Sequence, residues 1–212
     1  MYLPVAFAET DLSRLHEFIE QNSFGLLTSR FDGKPVATHL PFLLERPARP
    51  GERGALVGHM ARANPQWREA EGDEVLAVFS GPHAYISPAW YEAENVVPTW
   101  NYVAVHATGP FQLIDDPDEL RTILQATVRK YEGSRPAPWQ WDDSLPSAER
   151  LLAHIVGFRI PIERLEGKWK LSQNQPADRQ ELVIRGLEKE GTPDGLGIAR
   201  EMRARRGTTD AP

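Results

Sequence analysis

From Phe24 to Leu165 the chain is a succession of short strand-like segments separated by turns, and a helical stretch follows. Roughly six or seven strands joined in this way close most readily into a small antiparallel barrel with flanking helices. The longest, Trp100 to Ile114, alternates. Trp100, Tyr102, His106 and Thr108 fall on one face, and Asn101, Val103 and Val105 on the other. Phe24 to Arg30 reads as a strand and Phe31 to Lys34 as a hairpin turn, because Asp32-Gly33 supplies the positive φ angles such a turn requires. The returning strand, Val36 to Leu44, is bulged or at a sheet edge at Pro41, which has no N–H to give to a ladder. Ala55 to Met60, Glu74 to Ser80, His83 to Trp90 and Ile155 to Leu165 read as further strands, the last followed by a Glu166-Gly167 turn.

Helical signals punctuate this pattern. Leu12, Leu15, Phe18 and Ile19 share one helix face behind a cap at Thr10 or Asp11. Asn64 can cap a short helix with Pro65 at its first position. Asp116-Pro117-Asp118-Glu119 is a capping box, after which Leu120, Ile123, Leu124, Val128 and Tyr131 recur at helix spacing until Gly133. Glu45 to Gly54 reads as a solvated loop. Ser134 to Pro146 reads as an irregular, partly buried one, with a short helix around Leu151 after it. From Asp178 onward the chain is helical and charged, is broken by Gly191 to Gly195, and ends in a frayed basic tail. The expected division is a barrel domain over residues 1–175 and a helical extension over 176–212.

Composition sets bounds on partners and location. A chain of 212 residues can bury roughly 70% of its unfolded surface, so a substantial core is available. The formal charge is −6, from 30 acidic and 24 basic residues, which opposes tight DNA binding except through a local basic patch. There are 0 cysteines, hence no disulfide framework and no thiolate chemistry. No apolar run reaches the ~20 residues that cross a bilayer. The N-terminus has no basic start followed by an apolar stretch, so no secretory signal and no membrane are expected, and the setting is cytoplasmic.

Chemistry concentrates in segments unusually polar and aromatic for a β scaffold: Ala37 to Pro41, Gly58 to Trp67, Gly81 to Tyr91, Val97 to His106, and Lys168 to Asn174. Buried polar groups on strands need partners or a ligand. A strand ending at His59, a loop with Arg62 and a helix opening at Asn64-Pro65 together favour an anion such as a phosphate, through free amides and a positive fork, although a plain helix cap with a surface arginine uses the same residues. His39, His59, His83 and His106 lack the spacing of a zinc motif; hydrogen-bonded core histidines are the simpler reading, with His59 the choice for ligating a larger cofactor. No nucleophile elbow and no carboxylate pair accompany these segments. Tyr85, Tyr91, Trp90, Trp100 and Tyr102 can line a planar ligand, or equally form a core or dimer interface. Lys168 and Lys170 share a strand face, normally a solvated one, while Ser172, Gln173 and Asn174 can close a polar site. Arg200, Arg203, Arg205 and Arg206 read as a solvated helix end.

The segments ATHLPF, GHMARANPQW, VFSGPHAYISPAWY, VPTWNYVAVHATG, IVGF and EGKWKLSQN, in this order, resemble the PaiB family of FMN-binding negative transcriptional regulators, from Met1 to about residue 190. The resemblance implies a mostly β, α+β fold: an antiparallel, Greek-key-like split β-barrel that forms a homodimer with its cofactor at the subunit interface. In such barrels the strand-to-helix segment after the third strand commonly holds the flavin phosphate, here His59 to Asn64. Across the matching segments, the implied cofactor-binding residues are Thr38, His39, His59, Arg62, Asn64, Trp67, Tyr85, Ser87, Trp100, Asn101, Lys168, Ser172, Gln173 and Asn174. A similar branch, the piperazate synthases, binds haem and forms an N–N bond from N5-hydroxyornithine. On that alternative His59 is the iron ligand. The implied roles are a cofactor-binding regulator or flavoprotein, or a haem enzyme.

Overall fold

A computed structural model describes residues 1–91, 96–142 and 146–209. Among them the strands are β1 (Ala8–Glu9), β2 (Phe24–Phe31), β3 (Lys34–Pro41), β4 (Leu43–Glu45), β5 (Ala55–Ala61), β6 (Glu74–Ile86), β7 (Thr99–Pro110), β8 (Gln112–Ile114), β9 (Ile155–Pro161) and β10 (Arg164–Lys170). The helices are α1 (Leu12–Gln21), α2 (Gln66–Ala70), α3 (Pro117–Glu132), α4 (Pro146–Leu152), α5 (Ala177–Glu190) and α6 (Pro193–Thr209). No helix among the described residues is long and apolar enough to cross a membrane. The chain divides into two compact units. The first comprises Met1–Asp11, Ser80–Val105 and Glu166–Pro212, and the second Leu12–Phe79 and His106–Leu165.

In the second unit β2 pairs antiparallel with β3 across the Asp32-Gly33 turn, whose φ angles of 52° and 67° match the expected hairpin. The other edge of β2 pairs with β6, Leu27 facing Ala77. A separate antiparallel sheet runs in the order β4-β5-β9-β8. The single strand expected from Val36 to Leu44 is therefore two. The ladder with β2 ends at Pro41, and after Phe42 the chain joins the other sheet as β4. Phe42 is fully buried, its ring 5.3 Å from Phe79 and 5.7 Å from Phe158, with Phe158 stacked on Phe111. Leu15, Phe18 and Ile19 of α1 are buried as their spacing predicts. Helix α3 begins as its capping box requires, with Asp116 Oδ1 accepting from the N–H groups of Asp118 and Glu119 at 3.0 Å, and ends where the N–H of Gly133 donates to Arg129 O.

In the first unit β1 pairs with β10, Ala8 facing Lys168 and Glu9 facing Gly167. This pairing overturns the expected Glu166-Gly167 turn. The reversal comes earlier, after β9, because Glu166 and Gly167 are needed as ladder residues. The strands expected over 74–80 and 83–90 form one strand, β6, ending at Ile86, with a single 3-10 turn at Pro88–Tyr91. Gly81-Pro82 does not break it, since proline's φ suits an extended chain wherever its missing N–H is not called on. Buried Ala84 and Ile86 continue to alternate with exposed His83 and Tyr85. The helical stretch breaks at Gly191, which caps α5 with a left-handed φ of 68°, while Gly195 and Gly197 lie inside α6. A Cβ at Gly197 would stand 2.7 Å from Pro82 Cβ, and one at Gly186 of α5 would stand 2.5 Å from the Trp90 ring. Both glycines mark close approach. The basic tail is not simply solvated: Arg203 pairs with Glu188, Arg206 with Glu181 at 2.8 Å and Arg205 with Glu9 at 3.8 Å. Trp139 of the loop after α3 is 58% exposed, so the burial expected there does not include it; residues 143–145 of that loop and the last residues of the tail lie outside the described residues.

Two substitutions check this architecture. Asp116→Ala removes the acceptor for two amides and is expected to lower stability by about 0.5–2 kcal/mol. In Gly109→Ala the new Cβ would sit 1.9 Å from Pro161 O, so backbone must move, at about 1–3 kcal/mol or more. Denaturant unfolding measures both, and the glycine variant should be the less stable.

Candidate functional site

In the second unit β5 carries His59 opposite Gly157 of β9. Gly58 precedes it because no side chain fits there: a Cβ would lie 2.6 Å from Phe158 Cζ and 3.1 Å from Pro41 O. The His59 ring is largely buried. Its Nδ1 is the one buried side-chain nitrogen or oxygen among the described residues that has no hydrogen-bond partner. Burial pushes the imidazole below its ordinary pKa, so the ring is held neutral. A neutral imidazole offers either a lone pair or an N–H, and a ligand can satisfy whichever Nδ1 presents.

Around it lies a closed polar network. The Thr38 hydroxyl donates to Gln66 Oε1 at 2.5 Å and accepts from Asn64 Nδ2 at 2.9 Å. Gln66 is 2% exposed, and its amide donates to Leu27 O at 3.2 Å and Ser29 Oγ at 2.9 Å. Helix α2 starts at Gln66 with Pro65 in the cap position, one residue later than expected, and Asn64 Oδ1 accepts from the Gln66 N–H at 3.0 Å. The open amides expected for an anion are spent internally, however. The N–H of Arg62 donates to His154 O at 2.8 Å, and that of Asn64 to Ala61 O at 2.9 Å. The Arg62 guanidinium donates to Ala153 O at 2.9 Å and Asp115 Oδ1 at 2.5 Å, so an anion meets only its remaining N–H groups. With five residues, α2 contributes little dipole. Trp67 is fixed by its indole N–H to Arg62 O at 3.0 Å, and His39 is exposed, stacked on Phe24.

The remaining expected residues gather in the first unit. Asn101 is fully buried and its amide donates to Ser172 Oγ at 3.0 Å. Ser172 holds a left-handed φ of 62°, and Gln173 braces the same bend by accepting from the Leu171 N–H at 2.6 Å. The lysine face is not a solvated one. Lys168 is 7% exposed, donates to Tyr2 O at 2.8 Å and lies over the rings of Tyr2 and Tyr102. Lys170 donates to Thr99 Oγ1 and Trp100 O, both at 2.5 Å, and burial together with the charge of Lys168 lowers its pKa. Tyr85 and Trp100 meet edge-on at 6.0 Å with both rings substantially exposed. Ser87 Oγ accepts from the Ala89 N–H at 3.3 Å, and Asn174 is exposed. The fourteen expected residues thus form two groups, six in the second unit and eight in the first. Gln66, Thr99, Lys170 and Arg179 were not among them. Gln66 lay in plain view in GHMARANPQW, whereas no signal places Arg179, which reaches its neighbours only by the packing of α5.

Residues 1–164 match the family described as "Putative FMN-binding domain". The chain belongs to this family. It is 41% identical over 204 residues to Protease synthase and sporulation protein PAI 2 of Bacillus subtilis (strain 168), covering 95% of this chain and 96% of that protein. Among solved structures it resembles the FAD and heme binding protein from Mycobacterium smegmatis, with a TM-score of 0.59 at 19% identity over 82% of this chain and 78% of that one. The flavocytochrome Anf3 from Azotobacter vinelandii gives a TM-score of 0.59 at 16% identity over 77% and 69% of the two chains. At such identities the likeness is one of fold, the mostly antiparallel split barrel with flanking helices that the family's sequence implies.

Two measurements test the second-unit group. Gln66→Leu leaves the Thr38 hydroxyl without its acceptor and Leu27 O and Ser29 Oγ without their donor, and should cost about 1–3 kcal/mol in unfolding free energy. His59, with its folded pKa below the unfolded value, contributes stability that is complete above about pH 6.5 and falls away as pH drops towards the folded pKa, because the unfolded chain then binds the extra proton. His59→Gln should flatten the dependence of the melting midpoint between about pH 5 and 7; an unchanged slope would contradict a buried neutral ring.

Proposed function

We propose that this chain binds FMN, works as a homodimer in the cytoplasm, and acts as a PaiB-like negative regulator or flavoprotein. The family match over residues 1–164 carries the reading. The relative named for protease synthase and sporulation supports the regulatory part. FMN, when bound, supplies hydride and single-electron transfer. In this reading Arg62 gives its remaining N–H groups to the phosphate, His39 and Trp67 border it, and Thr38 and Asn64, bonded to each other and to Gln66, hold the segment in place. The exposed Tyr85 and Trp100 rings offer a flat apolar surface to a planar ring system or to the second subunit. Asn101, Lys168, Ser172, Gln173, Asn174 and Ser87 supply the polar contacts of the first unit. Residues 1–175 form the cofactor-binding domain and 176–212 its helical extension.

One observation favours a second reading. The unpartnered Nδ1 and depressed pKa of His59 suit an iron ligand, and the two structural relatives above are described as a heme binding protein and a flavocytochrome. On that reading the chain is a haem enzyme similar to the piperazate synthases, joining two nitrogens of a hydroxylated amine.

The visible spectrum of the purified protein, followed by reconstitution of two variants with each cofactor, decides between them. With FMN, Arg62→Ala should weaken binding by about 1–3 kcal/mol and His59→Ala by less. With haem the order reverses, and His59→Ala should shift or erase the Soret band. Near-wild-type retention of both cofactors by both variants would remove the site from this strand-to-helix segment. Direct DNA binding is expected to be weak, because the net charge is −6 and the tail arginines Arg203 and Arg206 are paired with glutamates. A nanomolar, sequence-specific shift at physiological salt would contradict this, and sedimentation of a stable monomer would contradict the dimer.

A further inference from the structure

The first unit contains a cavity of about 230 Å³ whose lining includes Thr99, Asn101, Lys170, Ser172, Gln175 and Arg179. Two of these are cations, and no acidic residue lines it among the described residues. Neither cation has an ion-pair partner among the described residues. Lys170 spends two N–H groups on Thr99 Oγ1 and Trp100 O and keeps a third. Arg179 makes one contact, from Nη1 to Gln175 Oε1 at 3.4 Å, beyond the usual span of such bonds, so most of its planar fork is unengaged. Lys168 adds a further positive charge close enough to lower the pKa of Lys170. Like charges gathered and partly buried, with no counter-charge among the described residues, raise the free energy of the folded chain, and a bound anion offsets that cost.

The neutral groups are set to assist. Asn101, with no exposed surface, holds Ser172 Oγ at 3.0 Å, and Ser172 keeps a φ of 62° that L side chains rarely adopt. Thr99 accepts from Lys170, which leaves its own proton to donate. The volume falls below the ~300–1,000 Å³ typical of sites for drug-sized ligands, so a molecule of a few heavy atoms fits and a tricyclic ring does not.

We propose that this cavity binds a small oxyanion, the carboxylate or phosphate of a ligand, between Lys170 and Arg179. The anion takes the third N–H of Lys170 and the open edge of the Arg179 fork, with the Thr99 hydroxyl as a further donor. The site stands whether or not the chain carries FMN. Its oxyanion has two possible sources, a free small molecule or the phosphate tail of a flavin whose rings lie elsewhere.

The test is calorimetric titration of the full-length protein as purified with inorganic phosphate and with acetate, alongside flavin affinities for FMN and riboflavin. Wild type is compared with Lys170→Gln and Arg179→Gln. The second variant alters a side chain with a single long contact, so it keeps the test decisive if Lys170→Gln fails to fold. The expected result is saturable binding of at least one probe, weakened tenfold or more in Arg179→Gln, with the oxyanion then assigned to a free ligand. If neither probe binds but the preference for FMN over riboflavin falls tenfold or more in the variant, the oxyanion is the flavin phosphate and the site is still supported. Probe binding unaffected by Arg179→Gln, or no probe binding together with an unchanged flavin preference, overturns the proposal. A protein that binds phosphate here but takes up no flavin would overturn the FMN reading alone.

Discussion

Phe42 is the residue on which the second unit turns. Its ring has no exposed surface and meets Phe79 of β6 and Phe158 of β9 edge-on, so one side chain fastens two sheets that share no ladder at that point. Pro41 ends the pairing of β3 with β2, and the chain is then free to cross into the second sheet as β4. Truncating a core phenylalanine of this kind typically costs about 3–5 kcal/mol, a large part of the 5–15 kcal/mol that holds an average domain together. The position of His59 follows from the same corner. Gly58 lets the Phe158 ring and the Pro41 carbonyl approach β5 from opposite partners, and the next residue inherits a fixed place with its imidazole turned inward.

The polar groups of the two units behave in contrasting ways. Around Gln66 the named donors have acceptors: the Thr38, Asn64 and Gln66 side chains bond one another, Leu27 O and Ser29 Oγ, and the amides of Arg62 and Asn64 are taken up by His154 O and Ala61 O. Such a network holds shape and has little left for a ligand. His59 Nδ1 and the Lys170–Arg179 pair are the opposite case. They carry hydrogen-bonding or charge capacity that the fold brings together and does not consume, and the chemistry of this family's cofactors and ligands is most naturally sought there.

The C-terminal helices owe their place to shape more than to charge. Arg203 and Arg206 pair with Glu188 and Glu181, but exposed pairs of this kind contribute at most about 1 kcal/mol each. Gly186 against the Trp90 ring and Gly197 against Pro82 fix where α5 and α6 lie, because any larger residue would push the helices away. Seating α5 in this way is what brings Arg179 to the cavity wall.

The sequence by itself determined the elements whose cause lies within a few residues. The Asp32-Gly33 turn needed two positive φ angles, the Asp116 cap needed an acceptor two and three residues before free amides, and α1 needed apolar residues at helix spacing. The matching segments also marked out the family. Tertiary structure decided what depended on distant partners. Strand β6 runs through Gly81-Pro82, and the turn expected at Glu166-Gly167 yields to pairing with β1. Lys168 is buried against Tyr2, 166 residues away, and Lys170 is tied to Thr99 across 71. A long polar side chain has the same local signature whether it faces water or a carbonyl. Its partner is chosen by which strands and helices the apolar core brings alongside it, and that choice is not written in its own neighbourhood.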